Sequence, residues 1–161
     1  MCPFNENQNW KLLYRAKRDG FEAEDFHQKC DGHLKSLTII KTTSGAVFGG
    51  FTESDWAQVQ AEGHFKFDQN AFIFSLINKQ NEPLLVKCTE PARAIFCAEN
   101  YGPIFGNWPH DIVIDSNSNL NYENYCNLSF SYKYHATGED FFLAGNSCDF
   151  QTEDIEVFAL Q

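Results

Sequence analysis

The chain has 161 residues, 43% hydrophobic and 16% aromatic, so it is long enough to bury a core and too apolar for intrinsic disorder. Its formal net charge of -10 comes from 22 acidic against 12 basic residues and argues against a nucleic-acid surface, which requires clustered cations. We expect one domain over residues 1–161, with residues 1–9 as a flexible N-terminal segment.

Export and membrane signals are missing from the sequence. No run of about 18 apolar residues could span a bilayer, and MCPFNENQNW lacks the regions of a signal peptide. We therefore expect an intracellular, cytoplasmic protein, in which the six cysteines do not imply disulfides. No C-x-x-C pair indicates a zinc or redox site. Cys2 and Cys30, in polar surroundings, are the candidate exposed thiols.

The helical signal is confined to the first thirty residues. WKLLYRAKR is ambiguous, whereas GFEAEDFHQKCDG places Phe21, Phe26 and Cys30 near one face of a short helix. Acidic residues occupy its first turn and Gly32 lies beyond its end, as expected for helix termini. The segment predicts a short helix docked by its aromatic side chains.

From Ser36 onward the sequence consists of short β-type runs broken by Gly, Asn, Asp and Pro. SLTIIKTT and AVFGGFTE flank Ser44-Gly45 and predict a hairpin, and AFIFSLI with PLLVKC predicts a second. The remaining strand candidates are ARAIFCAE, HDIVIDS, NLSFSYKY and SCDFQTEDIEVFAL. The predicted fold is mostly β: an antiparallel β-sandwich flanked by a few short helices, the clearest near the N-terminus.

The Gly49-Gly50 pair in VFGGFTESDW raises the question of a phosphate-binding loop. Such a loop follows a strand and opens a helix, but no helix start or lysine follows these glycines, and Glu53 and Asp55 would repel phosphate. A bulge or close backbone contact is the better interpretation. The glycines would then support Glu53, Asp55 and Trp56 as a presented surface.

Two further motifs suggest chemistry that their details do not support. DSNSNLNYENYC resembles a calcium loop, but Leu120 replaces its glycine and Cys126 its bidentate glutamate. His110 and Asp111 are adjacent, so on a strand their side chains would point to opposite faces and form no catalytic relay. We interpret His110 as a structural, hydrogen-bonded residue beside Trp108-Pro109. The sequence predicts no catalytic residue, metal site or cofactor.

Five ordered segments resemble the TLDc domain family from about Trp10 to Phe158: LLYRAKRDGFEAEDFHQKCDG, LTIIKTTSGAVFGGFTESDW, NAFIFSLINK, YGPIFGNWPHDIVI and FFLAGNSCDFQTEDIEVF. The resemblance implies a β-sandwich wrapped by short helices, without established enzymatic activity. It also implies a role in oxidation resistance in eukaryotic cells and, for several members, binding to the vacuolar proton pump (V-ATPase). Members often carry glycine where Asn107 stands, and family glycines match Gly49, Gly50, Gly106 and Gly145, as expected where φ is positive or backbones approach closely.

Three functional hypotheses follow. The first is a protein-interaction module that binds V-ATPase subunits, is recruited to organelle membranes through its partner, and uses Trp56 or Trp108 as an aromatic anchor. The second is an antioxidant activity in which an exposed cysteine consumes peroxide. The third is a carbohydrate-binding sandwich that uses exposed rings.

Overall fold

The computed structural model describes residues 7–134, 143–145 and 147–161. Two helices occur in these ranges, α1 (Ala16–Asp19) and α2 (Ala23–Cys30), together with a 3-10 turn at Pro91–Arg93. The same ranges contain twelve strands: β1 Trp10–Arg15, β2 Ser36–Thr42, β3 Val47–Thr52, β4 His64–Lys66, β5 Phe72–Ile77, β6 Leu84–Lys87, β7 Ile95–Cys97, β8 Tyr101–Phe105, β9 Ile112–Asp115, β10 Asn124–Cys126, β11 Asp149–Phe150 and β12 Thr152–Leu160.

The strands form two six-stranded antiparallel sheets that share one core. The first sheet has the order β1-β12-β2-β3-β5-β6, and the second has the order β11-β10-β9-β8-β7-β4. Buried side chains from both, such as Phe48 and Ile73 from the first and Ile95, Phe105 and Ile112 from the second, meet in a single hydrophobic cluster. The predicted fold class is confirmed. No helix in the described ranges is long and apolar enough to cross a membrane.

Both predicted hairpins are present. In the first, β2 pairs with β3 and Gly45 takes a φ of 92° in the connecting turn. In the second, β5 pairs with β6 and Asn81 takes a φ of 54° in the turn. Asparagine and glycine tolerate this left-handed region better than other residues do, which explains why both turns could be read from the sequence.

The N-terminal region combines a strand with the predicted helix. WKLLYRAKR divides into β1 and the single turn α1, which settles its ambiguity. Helix α2 lies where it was predicted, with Phe26 and Cys30 fully buried. The Phe26 ring packs edge-on against Tyr14 of β1, with 5.8 Å between the ring centroids. The helix is thus held to the first sheet by an aromatic contact.

The predicted strand at NLSFSYKY is wrong. Backbone amides of Ser129, Phe130 and Ser131 donate to the Asp111 carboxylate at 2.8–3.1 Å instead of to a neighbouring strand. The last candidate, SCDFQTEDIEVFAL, divides at Gln151 into β11 of the second sheet and β12 of the first. In both segments, contacts with distant residues override the local β-type pattern.

Residues 1–6 lie outside the described part of the chain, so the expectation of a flexible segment over residues 1–9 falls largely outside it as well. Within the described part, the amide of Gln161 donates to the Asn9 carbonyl at 2.8 Å. This bond joins the two ends of the described chain beside the β1–β12 pair.

The glycine pair lies in β3, where neither residue has room for a side chain. A Cβ atom on Gly49 would collide with the backbone carbonyl oxygen of Thr38, and one on Gly50 would lie 2.6 Å from the Phe105 ring. Phe105 belongs to β8 in the opposite sheet, so Gly50 is a point of close approach between the two sheets.

We expect Gly49→Ala to destabilise the fold by about 3 kcal/mol, because the obstructing atom is backbone and cannot rotate away. Gly102→Ala is the matched control, since its Cβ would lie 3.1 Å from the Ile114 side chain, which can shift. Urea unfolding of both variants measures the difference. Equal losses in the two variants would contradict the prediction.

Candidate functional site

The segment after β3 is held rigidly where it leaves the sheet. The buried Asp68 carboxylate accepts hydrogen bonds from the Thr52 hydroxyl, at 2.8 Å, and from the Glu53 amide. The Lys66 ammonium binds the Asp55 carboxylate and the Asp55 carbonyl, each at 2.8 Å. The two acidic residues of the predicted surface, Glu53 and Asp55, are partly exposed. Each also forms an ion pair, Glu53 with Lys35 at 3.9 Å and Asp55 with Lys66 at 2.8 Å.

Trp56 is a core residue. Its side chain is 1% exposed, its Nε1–H donates to the Ser36 hydroxyl at 2.9 Å, and its ring packs edge-on against Phe26 and Phe105. The expectation that Trp56 forms part of a presented surface is wrong. Burial of the Trp56 indole is favourable because its N–H is hydrogen-bonded inside the sandwich.

Trp108 has the opposite environment, with 76% of its surface exposed. It lies in the loop between β8 and β9, here called the Trp108 loop (residues 106–111), and follows Asn107. Its amide donates to the Asn107 Oδ1 at 2.8 Å, and the Asn107 amide donates to the Ser131 hydroxyl at 3.0 Å. The Trp108–Pro109 peptide bond is cis. The backbone beneath the exposed ring is thus fixed by hydrogen bonds.

Two residues of the Trp108 loop take positive φ values, Gly106 at 90° and His110 at 81°. A Cβ on Gly106 would collide with the Asp111 carboxylate, so glycine is required there for both conformation and space. Asn107 lies outside the left-handed region. The left-handed backbone conformations of this loop therefore occur at Gly106 and His110, on either side of the exposed Trp108.

His110 has a structural hydrogen bond, as predicted. Its Nδ1 lies 2.8 Å from the Gly106 carbonyl oxygen, which can only accept, so Nδ1 carries the proton. Burial lowers the pKa of His110 below its usual value, because desolvation penalises the charged imidazolium. The ring is consequently a neutral packing element near pH 7.

Asp111 is fully buried and ties the Trp108 loop to a segment distant in sequence. Its Oδ1 accepts the amides of Ser129 and Phe130 at 3.1 and 3.0 Å, and its Oδ2 accepts the Ser131 amide at 2.8 Å. Burial raises the pKa of Asp111 to about 6, and the amide hydrogen bonds offset only part of that rise. Its hydrogen bonds go to these amides, so it does not orient His110 for proton transfer.

The predicted exposed thiol Cys30 is buried, and that expectation is wrong. Burial raises the pKa of Cys30 well above its usual value and raises those of Cys97 and Cys126 to about 12, so these three thiols stay protonated near neutral pH. The other predicted exposed thiol, Cys2, lies outside the described residues. Cys88 and Cys148 are partly exposed.

The oxygen-rich loop between β9 and β10 uses its side chains in turns. Asn121 donates from Nδ2 to the Ser116 carbonyl at 2.9 Å and accepts the Glu123 amide at 3.1 Å, and Asp115 accepts the Ser116 amide at 2.8 Å. The bond between Asn121 and the Glu123 amide is typical of an Asx turn. Within the described ranges, no group of three or more His, Cys, Asp or Glu side chains could hold a metal ion.

The fourth glycine of the family motifs, Gly145, has a φ of 112°. The preceding residue, Ala144, accepts a hydrogen bond from the Ser44 hydroxyl at 3.0 Å. Gly145 therefore lies against the turn of the β2–β3 hairpin, far from the Trp108 loop in the chain. The four motif glycines thus lie in three separate parts of the backbone: β3, the Trp108 loop and the segment at Gly145.

Sequence reasoning missed an aromatic group on the outer face of the second sheet. Phe65 of β4 packs against Phe96 of β7 with 4.9 Å between centroids, and His110 lies 5.4 Å from Phe96 and 5.5 Å from Trp108. The signal available was the alternation Gly63-His-Phe65-Lys-Phe67, but a strand of three residues is too short for alternation to identify it.

The two antiparallel sheets and their shared core define a β-sandwich domain. The TLDc domain model matches residues 1–161, so the chain belongs to the TLDc domain family. The MTOR-associated protein MEAK7 of Xenopus laevis is 33% identical over 78 residues, which are 46% of this chain and 15% of that protein. TBC1 domain family member 24 of Xenopus tropicalis is 34% identical over 68 residues, 40% of this chain and 12% of that protein. MEAK7 of Danio rerio is 25% identical over 76 residues, which are 47% of this chain and 16% of that protein. The chain thus spans only a small part of each of these relatives.

Truncation of the two tryptophans should change the free energy of unfolding to very different extents. Trp56→Ala removes a buried ring and leaves the Ser36 hydroxyl without its donor, so we expect a loss of about 3–5 kcal/mol in unfolding free energy. Trp108→Ala removes an exposed ring, and we expect a change within about 0.5 kcal/mol. Chemical denaturation measures both, and a large loss for Trp108→Ala would show that its ring is structural.

Asp111→Asn should cost about 2–4 kcal/mol, because the amide group offers one acceptor oxygen where the carboxylate offers two and places an NH₂ against backbone donors. The folded pKa of Asp111 is raised, so its proton-linked stability is present below the ordinary pKa and is lost as the pH rises through about 6. The difference between wild type and variant should therefore be about 1 kcal/mol larger near pH 5 than near pH 7. Parallel denaturation curves at the two pH values test it, and Asp149→Asn, at an exposed aspartate, is the control.

Proposed function

We propose that this chain is a non-enzymatic protein-interaction module of the TLDc type that binds V-ATPase subunits and contributes to protection against oxidative stress. The observation that carries the proposal is the membership of the whole chain in the TLDc family. The V-ATPase as partner comes from the resemblance of the sequence to that family. A cytoplasmic location, with recruitment to organelle membranes through the partner, belongs to the same proposal.

The environments of the polar residues support an interaction role over catalysis. His110 and Asp111, the adjacent pair that could suggest a relay, are each committed to backbone groups. The Trp108 ring, in contrast, is exposed and packs edge-on against His110. The backbone that carries it is held in place by hydrogen bonds. A large aromatic side chain presented on a fixed backbone is the kind of residue that contributes most to protein interfaces.

The relatives also point towards partners. One is named as an MTOR-associated protein, which describes an assembly with another protein. The present chain matches only part of that relative. We therefore extend to this chain only the general property that it binds another protein. The thiol hypothesis has less support, since burial keeps Cys30, Cys97 and Cys126 protonated.

Affinity purification of the tagged chain from eukaryotic cells, followed by mass spectrometry, tests the proposed partner. We expect V-ATPase subunits to be enriched over a tag-only control, and cells that express the chain to survive peroxide better than control cells. Failure to recover any V-ATPase subunit at any salt concentration would overturn the proposed partner.

Gly50→Arg serves as a folding control in the same experiment, because a side chain at Gly50 would enter the Phe105 ring. We expect this variant to lose both its fold and its partners. Its circular dichroism spectrum is measured alongside, so that enrichment that persists with an unfolded chain is recognised as non-specific and counts against the proposal.

A further inference from the structure

The outer face of the second sheet carries a group of rings in contact, Phe65, Phe96, His110 and Trp108. Together with Phe67, two residues beyond Phe65, they are here called the outer aromatic cluster. Ile95 and Cys97, the neighbours of Phe96 in β7, are buried in the core, so Phe96 points to the opposite, outer face. Phe65 is its direct cross-strand partner.

The cluster combines two accessible rings with more buried ones. Trp108 is 76% exposed and Phe67 is 63% exposed, whereas Phe65 and Phe96 are partly buried. Gly63 allows the packing of Phe96, because a Cβ there would lie 2.7 Å from the Phe96 ring. Trp108 packs against His110, which in turn packs against Phe65 and Phe96, so a partner would need to order few side chains.

Arg93 extends the cluster on one side. Its guanidinium carbon lies 5.5 Å from the centroid of the Phe65 ring, within the range of a cation–π contact, and its NH1 lies 3.8 Å from the Glu90 carboxylate. Tryptophan, phenylalanine and arginine are the residue types enriched where protein interfaces are buried. The composition of this surface is therefore that of an interface.

Arg93 and Glu90 offset one another in charge, so the exposed Glu62, which precedes Gly63, makes the balance of these three charges beside the cluster acidic. Glu90 also contacts Asn107, the residue before Trp108, at 3.3 Å. The chain as a whole has a net charge of -10. A positively charged partner would be steered towards this surface and would gain cation–π contact with the exposed indole.

We propose that the outer aromatic cluster is a docking surface for a basic segment of a partner protein, in which apolar side chains pack on the exposed Trp108 and Phe67 rings and flanking lysine or arginine residues meet Glu90 and Glu62. This inference rests on the proposed interaction function and adds to it the surface and the chemistry of the partner. An anionic membrane is disfavoured by the same acidic groups, because they would repel its headgroups.

The test uses a bead-displayed library of random peptides panned against the immobilised chain of 161 residues. We expect enriched peptides to combine Lys or Arg with an aliphatic or aromatic residue and to bind more weakly as salt is added. The affinity of a selected peptide, measured by fluorescence anisotropy, should fall at least about tenfold with Trp108→Ala and several-fold with Phe67→Ala.

Leu120→Ala is the matched control, because Leu120 is 75% exposed and lies in the loop at the opposite end of β9. It should leave the affinity unchanged, and circular dichroism should show all three variants folded. Glu90→Gln should weaken basic peptides several-fold, and an unchanged affinity would overturn the assignment of Glu90 as a partner for cations.

Several results would overturn the proposal: enrichment of acidic or uncharged peptides, no enrichment at all, or affinity that survives Trp108→Ala and Phe67→Ala. Binding to glycans or to phosphatidylserine vesicles that Trp108→Ala abolishes, without peptide binding, would assign the surface to another ligand and also overturn it. Its failure is distinguishable from failure of the proposed function. If Trp108→Ala still recovers V-ATPase subunits, the function stands and this surface does not; if selected peptides bind but no V-ATPase subunit is recovered, the reverse holds.

Discussion

The close approach of β3 to β8 at Gly50 and Phe105 is the constraint on which the rest of the structure depends. Phe105 fills the space that a side chain at position 50 would occupy, and Trp56 packs edge-on against the same ring. The Trp108 loop begins directly after Phe105, so the packing that joins the sheets also fixes where this loop leaves the core. The absence of a side chain on one strand thus determines where an exposed ring is presented on the other side of the sandwich.

The elements that could be predicted are those whose cause is local. Helix α2 and the two hairpins follow from periodicity and from turn residues such as Gly45 and Asn81, which tolerate positive φ. The segment at Ser129–Ser131 has the composition of a strand, but its amides are taken by Asp111, about twenty residues earlier in the chain. No pattern in a short window of sequence records such a contact. Strands β4 and β10, of three residues each, are too short for alternation to reveal.

Prediction of the site was limited in the same way, because the exposure of a side chain depends on residues distant from it in sequence. Trp56 and Trp108 both follow polar residues and precede a small or cyclic residue, so their sequence contexts gave no reason to separate them. Their exposures differ because Ser36 and Phe26 line a buried space for the Trp56 indole, whereas the Trp108 indole packs edge-on against His110 on the outer face. The family glycines could be identified from the sequence, but the groups that lie against Gly49, Gly50 and Gly106 could not.

The division of the C-terminal segment at Gln151 has a consequence for cooperativity. One continuous stretch supplies β11 to the second sheet and β12 to the first, where β12 lies between β1 and β2. The crossing is fastened by the Ser118 and Thr152 hydroxyls at 2.7 Å and by a bond from the Gln151 side chain to the Asn119 carbonyl. Separating the sheets would therefore require breaking this junction and freeing either β11 or β12 from its sheet. We expect the two layers to unfold together, as one cooperative unit.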